Sequence, residues 1–348
     1  MMRLVRRPRL RVVARVINVA GAQAFTAVAG AADRHSVLDP AGPQAGHIHA
    51  LWLLMLGVCS VVLIVVTIAV LLAVRRGSRA GAATNGSNGR AEAKAYRAIA
   101  VAVGISVVLL VGLFGATVIV DRALARLPVT DAVHIRLTGH QWWWEAIYDD
   151  PQPANVFTTA NELHIPVGRP VLLTLQADDV IHSFWVPNLG GKKDMIPGRT
   201  ATLALRADEP GVYRGQCAEF CGYQHAKMVL LVIAEPPSRY AAWLERERGT
   251  AQPPADDAAR RGQQLFMAST CAMCHAVAGT DANGQHAPDL THVASRQTLG
   301  AGALLNEPSA LAAWITDPQQ IKPGVKMPPH AFKPEEMQAL IAYVQTLR

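Results

Sequence analysis

The chain has 348 residues, 51% of them hydrophobic, and a formal net charge of +7. This length predicts two or three domains. The charge is uneven, because residues 1–130 carry 15 Lys and Arg against 4 Asp and Glu, whereas residues 131–348 carry 18 against 22. The basic excess is therefore a feature of the N-terminal part and indicates membrane topology. The chain has no nucleic-acid-binding motif, so we expect no nucleic-acid partner.

A basic leader opens the chain. Six arginines fall within the first 15 residues, and small apolar residues follow up to about residue 35. This pattern predicts a secretory signal peptide, with small-residue cleavage sites at 27–29 and 29–31. Asn18 and Gln23 interrupt the apolar stretch, so an uncleaved basic leader over 1–35 is the alternative.

Two nearly uncharged apolar runs, at about 48–74 and 98–120, follow the leader. Each exceeds the roughly 20 residues that a helix needs to span a bilayer. The stretch between them, 75–97, holds six Lys and Arg and a single acid, Glu92. By the positive-inside rule this loop is cytoplasmic, and residues 36–130 form a transmembrane hairpin whose two ends lie outside.

The remainder of the chain divides into a β-like and a helical part. Short apolar runs between turn residues predict a β-sandwich or barrel over 131–240. A Pro- and Asp-containing linker is expected over 241–255, and helical periodicity predicts an all-α domain over 256–348. The β-like runs are 134–138, 163–167, 171–175, 200–205 and 228–233, and the helical runs are 258–267, 308–315 and 334–347.

One short loop concentrates soft metal donors. Cys217, Cys221, His225 and Met228 fall within twelve residues, and His182 lies upstream. Thiolate, imidazole and thioether together suit copper better than a hard cation. Two cysteines four apart can bridge two ions, with one histidine for each, which favours a dinuclear electron-transfer site. A Cys217–Cys221 disulfide or a zinc site are the alternatives.

A second redox signature follows in the helical part. Cys271, Cys274 and His275 form the C-x-x-C-H pattern of covalent c-type haem attachment, with the histidine as axial ligand. A thioredoxin-like pair or a zinc knuckle is the alternative. Met327, in a Pro-rich setting, is a candidate for the sixth ligand, and a Met–His pair would raise the haem potential. Its rivals are His286, His292 and His330.

These motifs together resemble subunit II of the haem–copper cytochrome c oxidases, whose cupredoxin domain carries the dinuclear copper A centre. The resemblance lies in the order and spacing of four segments and in a class I cytochrome c pattern around Met327 and residues 287–293. A fused cytochrome c is typical of caa-type enzymes. The four segments are residues 139–144 (Gly-His-Gln-Trp-Trp-Trp), the His182 segment, residues 191–199 and residues 217–228.

The resemblance implies a role for each ligand. Both thiolates would bridge both coppers, His182 and Met228 would complete one ion, and His225 and the backbone carbonyl of Glu219 would complete the other. The carboxylate of Glu219 would help to bind a magnesium ion shared with subunit I. The carbonyl of Pro288 would accept the second ring N–H of the haem histidine, which fixes the imidazole.

Several further residues receive roles from the same resemblance. Trp142 would receive electrons on their way to copper, although alternation along a strand requires some of the three tryptophans to be core. Asp178 and Asp179 would face subunit I or cytochrome c, or else be solvated turn residues. The acid and Trp-Thr-x-x-Pro-like run common at the second helix in this family are missing, so a proton-uptake role for Glu92 is weakly supported.

The function implied is that of an electron-input subunit in a proton-translocating oxidase of a bacterial cell membrane. Electrons would pass from cytochrome c or another external donor to the haem, then to copper A, and then to the oxygen-reducing centre of subunit I. The copper and haem domains would lie on the outer side of this multi-pass protein, beside the other oxidase subunits. The alternatives are the copper A subunit of a nitric oxide reductase and a free-standing membrane electron-transfer protein.

Overall fold

The computed structural model describes residues 34–79, 89–126 and 128–348. The leader predicted over 1–35 therefore lies almost wholly outside the described residues. Two long helices come first, α1 (Pro43–Arg79) and α2 (Gly89–Leu124), and they contact each other. Both are long and apolar enough to cross a membrane, and their Leu, Val and Ile side chains are exposed. Helices that are apolar all round suit a lipid environment.

Both helices are longer than the sequence predicts. α1 continues through residues 75–79 and α2 begins at Gly89, so both ends of the loop predicted over 75–97 are helical. Arg, Ala, Lys and Glu are strong helix formers, and they let a helix continue beyond the apolar run that defines its membrane span. Glu92 consequently lies in the first turn of α2. The middle of the predicted loop lies outside the described residues.

The β-rich part is a sandwich of two sheets, as predicted. One sheet has five strands in the order β3-β2-β1-β5-β8, and the other has three in the order β4-β10-β9. Alternate side chains from both sheets, such as Leu137, Leu173 and Val232, meet in one buried core. The strands are β1 (Val133–His140), β2 (Trp143–Asp149), β3 (Phe157–Ala160), β4 (Glu162–Pro166), β5 (Val171–Ala177), β6 (His182–Phe184), β7 (Lys193–Met195), β8 (Ala201–Leu205), β9 (Gly211–Gln216) and β10 (Val229–Glu235).

Helix α3 (Pro237–Glu247) follows the last strand of the sandwich. Its last residues fall within the stretch 241–255 that is expected to hold the linker, so the helix extends into that stretch. The reason is amphipathicity, because Tyr240 and Trp243 are buried against the sandwich while the opposite face is solvated. Trp243 stacks on His164 of β4 with ring centroids 4.3 Å apart. We refer to residues 131–248 as the copper domain, after the metal that the sequence predicts there.

The C-terminal part, residues 256–348, is helical as predicted, with a short two-stranded ladder added. We call it the haem domain, after the cofactor that the sequence predicts there. Its first and last helices, α4 and α8, cross at Gly262, where a Cβ would collide with the carbonyl of Ala339. Its core is separate from that of the sandwich. The elements are α4 (Asp257–Ala268), α5 (Cys271–Cys274), β11 (Thr298–Leu299), β12 (Leu304–Leu305), α6 (Pro308–Thr316), α7 (Pro318–Ile321) and α8 (Pro334–Val344).

The two domains contact each other through backbone hydrogen-bonding groups. The N–H of Val229, at the start of β10, donates to the carbonyl of Ala301 in the β11–β12 turn at 3.1 Å. The buried carboxylate of Glu162 accepts from the backbone N–H groups of Gln297 and Thr298 at 2.8 and 3.0 Å. Polar groups of both domains are thus satisfied across the contact, which is what burial of such groups requires.

Candidate copper centre and haem cavity

The copper loop, residues 217–228, joins β9 to β10. Because these strands are antiparallel neighbours, the loop must return on itself, and Cys217 at its start lies close to Met228 at its end. A single 3₁₀ turn over His225–Lys227 directs the chain back into β10. His182 comes from a different place, the short hairpin β6–β7, where it opens the first strand.

The predicted donors converge on the two sulfur atoms of this loop. The Sγ atoms of Cys217 and Cys221 are 3.8 Å apart. Cys217 Sγ lies 3.9 Å from His182 Nδ1, and Cys221 Sγ lies 3.6 Å from His225 Nδ1 and 3.8 Å from Met228 Sδ. The donor atoms of His182, Cys217 and Cys221 form a compact buried group. A metal placed between the sulfurs would have an imidazole within reach on either side.

Glu219 contributes through its backbone and not through its carboxylate. Its carbonyl oxygen lies 3.3 Å from Cys217 Sγ, within the group of donors. Its carboxylate is 43% exposed and forms an ion pair with Lys192 Nζ at 3.1 Å. The magnesium expectation therefore gains no support from the structure, because an ammonium group faces the carboxylate that would hold the ion.

The electrostatics of the cluster favour a thiolate. The contact with Cys221 lowers the pKa of the Cys217 thiol, burial opposes this shift, and His182 adds to it. The same contact raises the pKa of Cys221. One negative charge between the two sulfurs suits a soft cation, since the thiolate is the metal-binding form of cysteine. Both thiols are free in the structure, which does not form the alternative disulfide.

Asp179 orients His182, a role that the sequence analysis did not assign to it. His182 Nε2 lies 2.9 Å from Asp179 Oδ1, and an ionised carboxylate can only accept, so Nε2 carries the proton and Nδ1 faces the sulfurs. Burial opposes ionisation of Asp179, but hydrogen bonds from His182, Gln141 and Val180 outweigh it and lower its pKa. In the sequence, the signal for this orienting role was an acidic residue, Asp179, three residues before His182. Asp178 remains 63% exposed.

The donor set fits copper on its chemistry. Two thiols, two imidazole nitrogens, a thioether and a carbonyl surround a largely buried point, and soft donors of this kind select copper over hard cations. A zinc site uses four donors and rarely a thioether. The outer carboxylate that fixes the histidine tautomer is the usual companion of a metal-ligating imidazole.

A cavity of about 290 Å³ opens in the haem domain. Its walls are mainly apolar, with contributions from Phe266, Leu299 and Leu340. Cys271, Cys274, His275 and Met327 all line it, so the predicted attachment and axial residues face one space. Cys271 and Cys274 are the two ends of the single-turn helix α5. An apolar cavity with two thiols, an imidazole and a thioether fits a covalently bound haem.

His275 is held by its outer nitrogen. Its Nδ1 donates to the carbonyl of Pro288 at 2.7 Å, as the sequence resemblance implies, and this leaves Nε2 free for a metal. Burial lowers the pKa of His275, so the ring is neutral at physiological pH, the form that binds iron. Met327, His286 and His330 all line the cavity, whereas His292 donates to the carbonyl of Gly249 elsewhere.

Trp142 contacts the copper loop and also lines the haem cavity. Its indole Nε1 donates to the carbonyl of Cys221 at 2.9 Å, and Gln141 Nε2 donates to the same oxygen at 2.8 Å. Trp142 is only 8% exposed and belongs to the sandwich core. Trp143 lines the same cavity and stacks on His140, while Trp144 is buried beside His182. The three tryptophans thus have three different surroundings.

Comparison with known families agrees with this geometry. Residues 151–235 match the family described as cytochrome c oxidase subunit II, periplasmic domain. Residues 259–348 match the cytochrome c family. The first match lies within the copper domain and the second within the haem domain.

Relatives extend the similarity over most of the chain. Cytochrome c oxidase subunit 2 of Alkalihalophilus pseudofirmus is 35% identical over 317 residues, which is 90% of this chain and 91% of the relative. The chain belongs to the cytochrome c oxidase subunit II family. The corresponding subunit of Bacillus sp. (strain PS3) is 33% identical over 63% of each chain. The solved periplasmic domain of subunit II (CoxB) of Bradyrhizobium japonicum is 30% identical and covers 33% of this chain and 93% of that one, with a TM-score of 0.32.

Family membership and fold together give a coarse function. The chain is a component of an oxidase complex, and its copper-domain and cytochrome c folds imply electron transfer. Its two apolar helices and its periplasmic-type domain make it a membrane protein with an external part.

We expect Asp179→Ala to lower copper affinity about 10- to 100-fold, because the carboxylate that fixes His182 is lost. The measurement is copper titration of the metal-depleted full chain. Asp178→Ala is the matched control, since Asp178 is an exposed neighbouring acid, and its affinity should stay unchanged. Equal losses in both variants would contradict the orienting role of Asp179.

We expect Met327→Ala to leave the haem attached while lowering its reduction potential. Attachment needs only the two cysteines, whereas a thioether ligand stabilises ferrous iron. Potentiometric titration of the full chain measures the effect, and His286→Ala and His330→Ala serve as comparisons. An unchanged potential in Met327→Ala, with a shifted one in either histidine variant, would assign the sixth position to that histidine.

Proposed function

We propose that this chain is the electron-input subunit of a caa-type cytochrome c oxidase in a bacterial cell membrane. An external donor, cytochrome c or another small carrier, would reduce a c-type haem attached to Cys271 and Cys274 and held by His275 and Met327. The two thiolates of the copper loop would hold two coppers between them. Electrons would continue to an oxygen-reducing subunit I, coupled to proton translocation.

The copper ligands would divide as the sequence resemblance implies. His182 and Met228 would complete one ion, and His225 with the carbonyl of Glu219 would complete the other. A dinuclear copper centre supplies one-electron transfer without loss or gain of ligands. The protein supplies a buried setting, the hydrogen bond between Asp179 and His182, and the fixed spacing of the sulfurs.

One observation supports the haem-to-copper direction most strongly. Trp142 lines the haem cavity and donates its indole N–H to the carbonyl of Cys221, a residue of the copper loop. The aromatic ring therefore joins the wall of one centre to the backbone of the other. With Trp142 only 8% exposed, an external donor has little access to it. Electrons would enter through the haem domain and reach copper by way of Trp142.

The orientation in the membrane follows from charge. The stretch between the two apolar helices is basic and would be cytoplasmic. The copper and haem domains would then lie on the outer side. Relatives named as cytochrome c oxidase subunits favour an oxidase over a nitric oxide reductase or a free-standing carrier. Subunit I and the remaining oxidase subunits would be the stable partners.

We expect the full chain, purified with its complex, to hold two coppers in this subunit in addition to one covalent haem. The measurement is metal analysis combined with a haem spectrum. Cys217→Ser with Cys221→Ser should remove both coppers and leave the haem, whereas Cys271→Ala with Cys274→Ala should do the reverse. Zinc, or one copper, at the loop would refute the dinuclear site, and absence of a catalytic haem–copper subunit from the complex would refute the oxidase.

We expect Trp142→Phe to slow intramolecular haem-to-copper transfer, because the ring then loses its hydrogen bond to the copper loop. Phenylalanine is preferable to alanine, since truncating this buried residue to alanine would cost about 3–5 kcal/mol of stability. Flash-induced transfer is timed beside thermal unfolding. Trp143→Phe, which changes a second ring in the same cavity wall, is the control. A wild-type rate in Trp142→Phe would leave Trp142 a packing residue only.

A further inference from the structure

Lys322 is among the most deeply buried large side chains in the described part of the protein, with an exposed fraction of 1%. It directly follows helix α7 of the haem domain. Its Nζ donates to the carbonyl of Trp142 at 2.7 Å and to the carbonyl of Gly300 at 2.8 Å. The first acceptor belongs to the copper domain and the second to the β11–β12 turn of the haem domain, so one side chain joins both.

The chain around Lys322 makes several contacts with the copper domain. We call residues 322–325 the docking segment. The carbonyl of Pro323 accepts from Gln224 of the copper loop at 2.8 Å, and Val325 packs against the sandwich core. At Gly324 a Cβ would lie 3.4 Å from the Trp142 ring, so backbone and indole are in close contact. The docking segment therefore contacts both the copper loop and Trp142.

The docking segment also leads directly to Met327, the proposed axial ligand. Gln319 of α7 donates to the carbonyls of Val325 and Met327 at 2.8 and 3.0 Å, and its side-chain oxygen accepts from the N–H of Gly324. These bonds make the segment and the Met327 loop one unit. The hydrogen bond that holds Lys322 against Trp142 therefore also restrains the part of the cavity wall that carries Met327.

Lys322 is an unusual residue for this place. Among residues 34–79, 89–126 and 128–348, no carboxylate forms an ion pair with it, and its side chain lies beside the apolar cavity. Burial lowers the pKa of Lys322 to about 7, because a low-dielectric environment disfavours the ammonium form. An aliphatic side chain would avoid this cost but would remove the Lys322 hydrogen bonds to the buried Trp142 carbonyl and the partly buried Gly300 carbonyl.

We propose that Lys322 is a positioning residue that locks the haem domain onto the copper domain. It joins the Trp142 and Gly300 carbonyls, and so holds the haem cavity against the tryptophan that contacts the copper loop. This lock would serve the proposed haem-to-copper transfer, and its role rests on that proposal. The contact itself is formed whether or not electrons follow that route. The haem domain is then a docked donor and not a tethered one that diffuses between encounters.

A backbone amide offers a direct reporter of docking. The N–H of Val229 donates across the domain contact to the carbonyl of Ala301, so it is protected only while the domains are together. The N–H of Leu231, two residues further along β10, donates to Asn161 within the copper domain at 3.0 Å. Hydrogen exchange at Val229 relative to Leu231 therefore separates undocking from unfolding of the sandwich.

The test uses the full chain in its purified complex with the variant Lys322→Met. Loss of the two hydrogen bonds to the Trp142 and Gly300 carbonyls should speed exchange at Val229 roughly ten- to a hundred-fold. Exchange at Leu231 should be unchanged, and intramolecular haem-to-copper transfer should become slower and dependent on viscosity. Lys322→Arg keeps donors and charge and should restore most of the protection.

Lys227→Met is the matched control, because the exposed Lys227 also donates to a carbonyl of the other domain, that of Ile321, but water can replace it. It should leave Val229 exchange unchanged. If Lys322→Met does not give a folded chain, Lys322→Gln, which is shorter and polar, is measured for the same change. Unchanged Val229 exchange in the folded variant, or equal acceleration at Leu231, overturns the lock. Faster Val229 exchange with normal electron transfer retains the lock and overturns the proposed route through Trp142.

Discussion

The geometry of both redox sites depends on one backbone oxygen, the carbonyl of Cys221. It accepts hydrogen bonds from the indole of Trp142 and the amide of Gln141. This oxygen belongs to the loop that presents the sulfur donors, so the loop cannot shift without moving the segment that begins β2. Two donors on one buried acceptor are a strong restraint, because either one left unpaired would cost free energy. The spacing of the sulfurs and the position of the cavity wall are thereby coupled.

At the copper loop, the soft donors are brought together by the strands and hairpins of the sandwich. Antiparallel pairing of β9 with β10 brings the two ends of the loop together, and the β6–β7 hairpin delivers His182 from the side. Asp179 then fixes the ring by accepting from its outer nitrogen. The cluster is assembled from three separate elements, and a rigid surround of this kind suits electron transfer, in which the ligands should move little.

The fusion of the two domains has a geometric consequence beyond proximity. A flexible tether alone raises the effective concentration of a donor, but it leaves the orientation of that donor free. Here the contact includes a backbone hydrogen bond from Val229 to Ala301 and bonds from the backbone N–H groups of Gln297 and Thr298 to the Glu162 carboxylate, and such bonds specify register. The buried side chain of Lys322 adds two hydrogen bonds from its Nζ, one to a carbonyl of each domain. The orientation of the haem cavity is therefore part of the fold.

The sequence by itself determined the fold class, because alternating apolar runs, helical periodicity and two long uncharged stretches are local signals. It also named candidate metal donors, because thiol and thioether chemistry is carried by residue type. It did not reveal strands such as β2 and β9, whose residue types show no clear apolar–polar alternation although their burial alternates, nor the full length of α1 and α2. Only the tertiary structure decided that Asp179 fixes His182, that Glu219 faces Lys192, and that Lys322 joins the two domains. These roles arise from contacts between residues far apart in the chain or from the direction a side chain takes, and a local sequence pattern specifies neither.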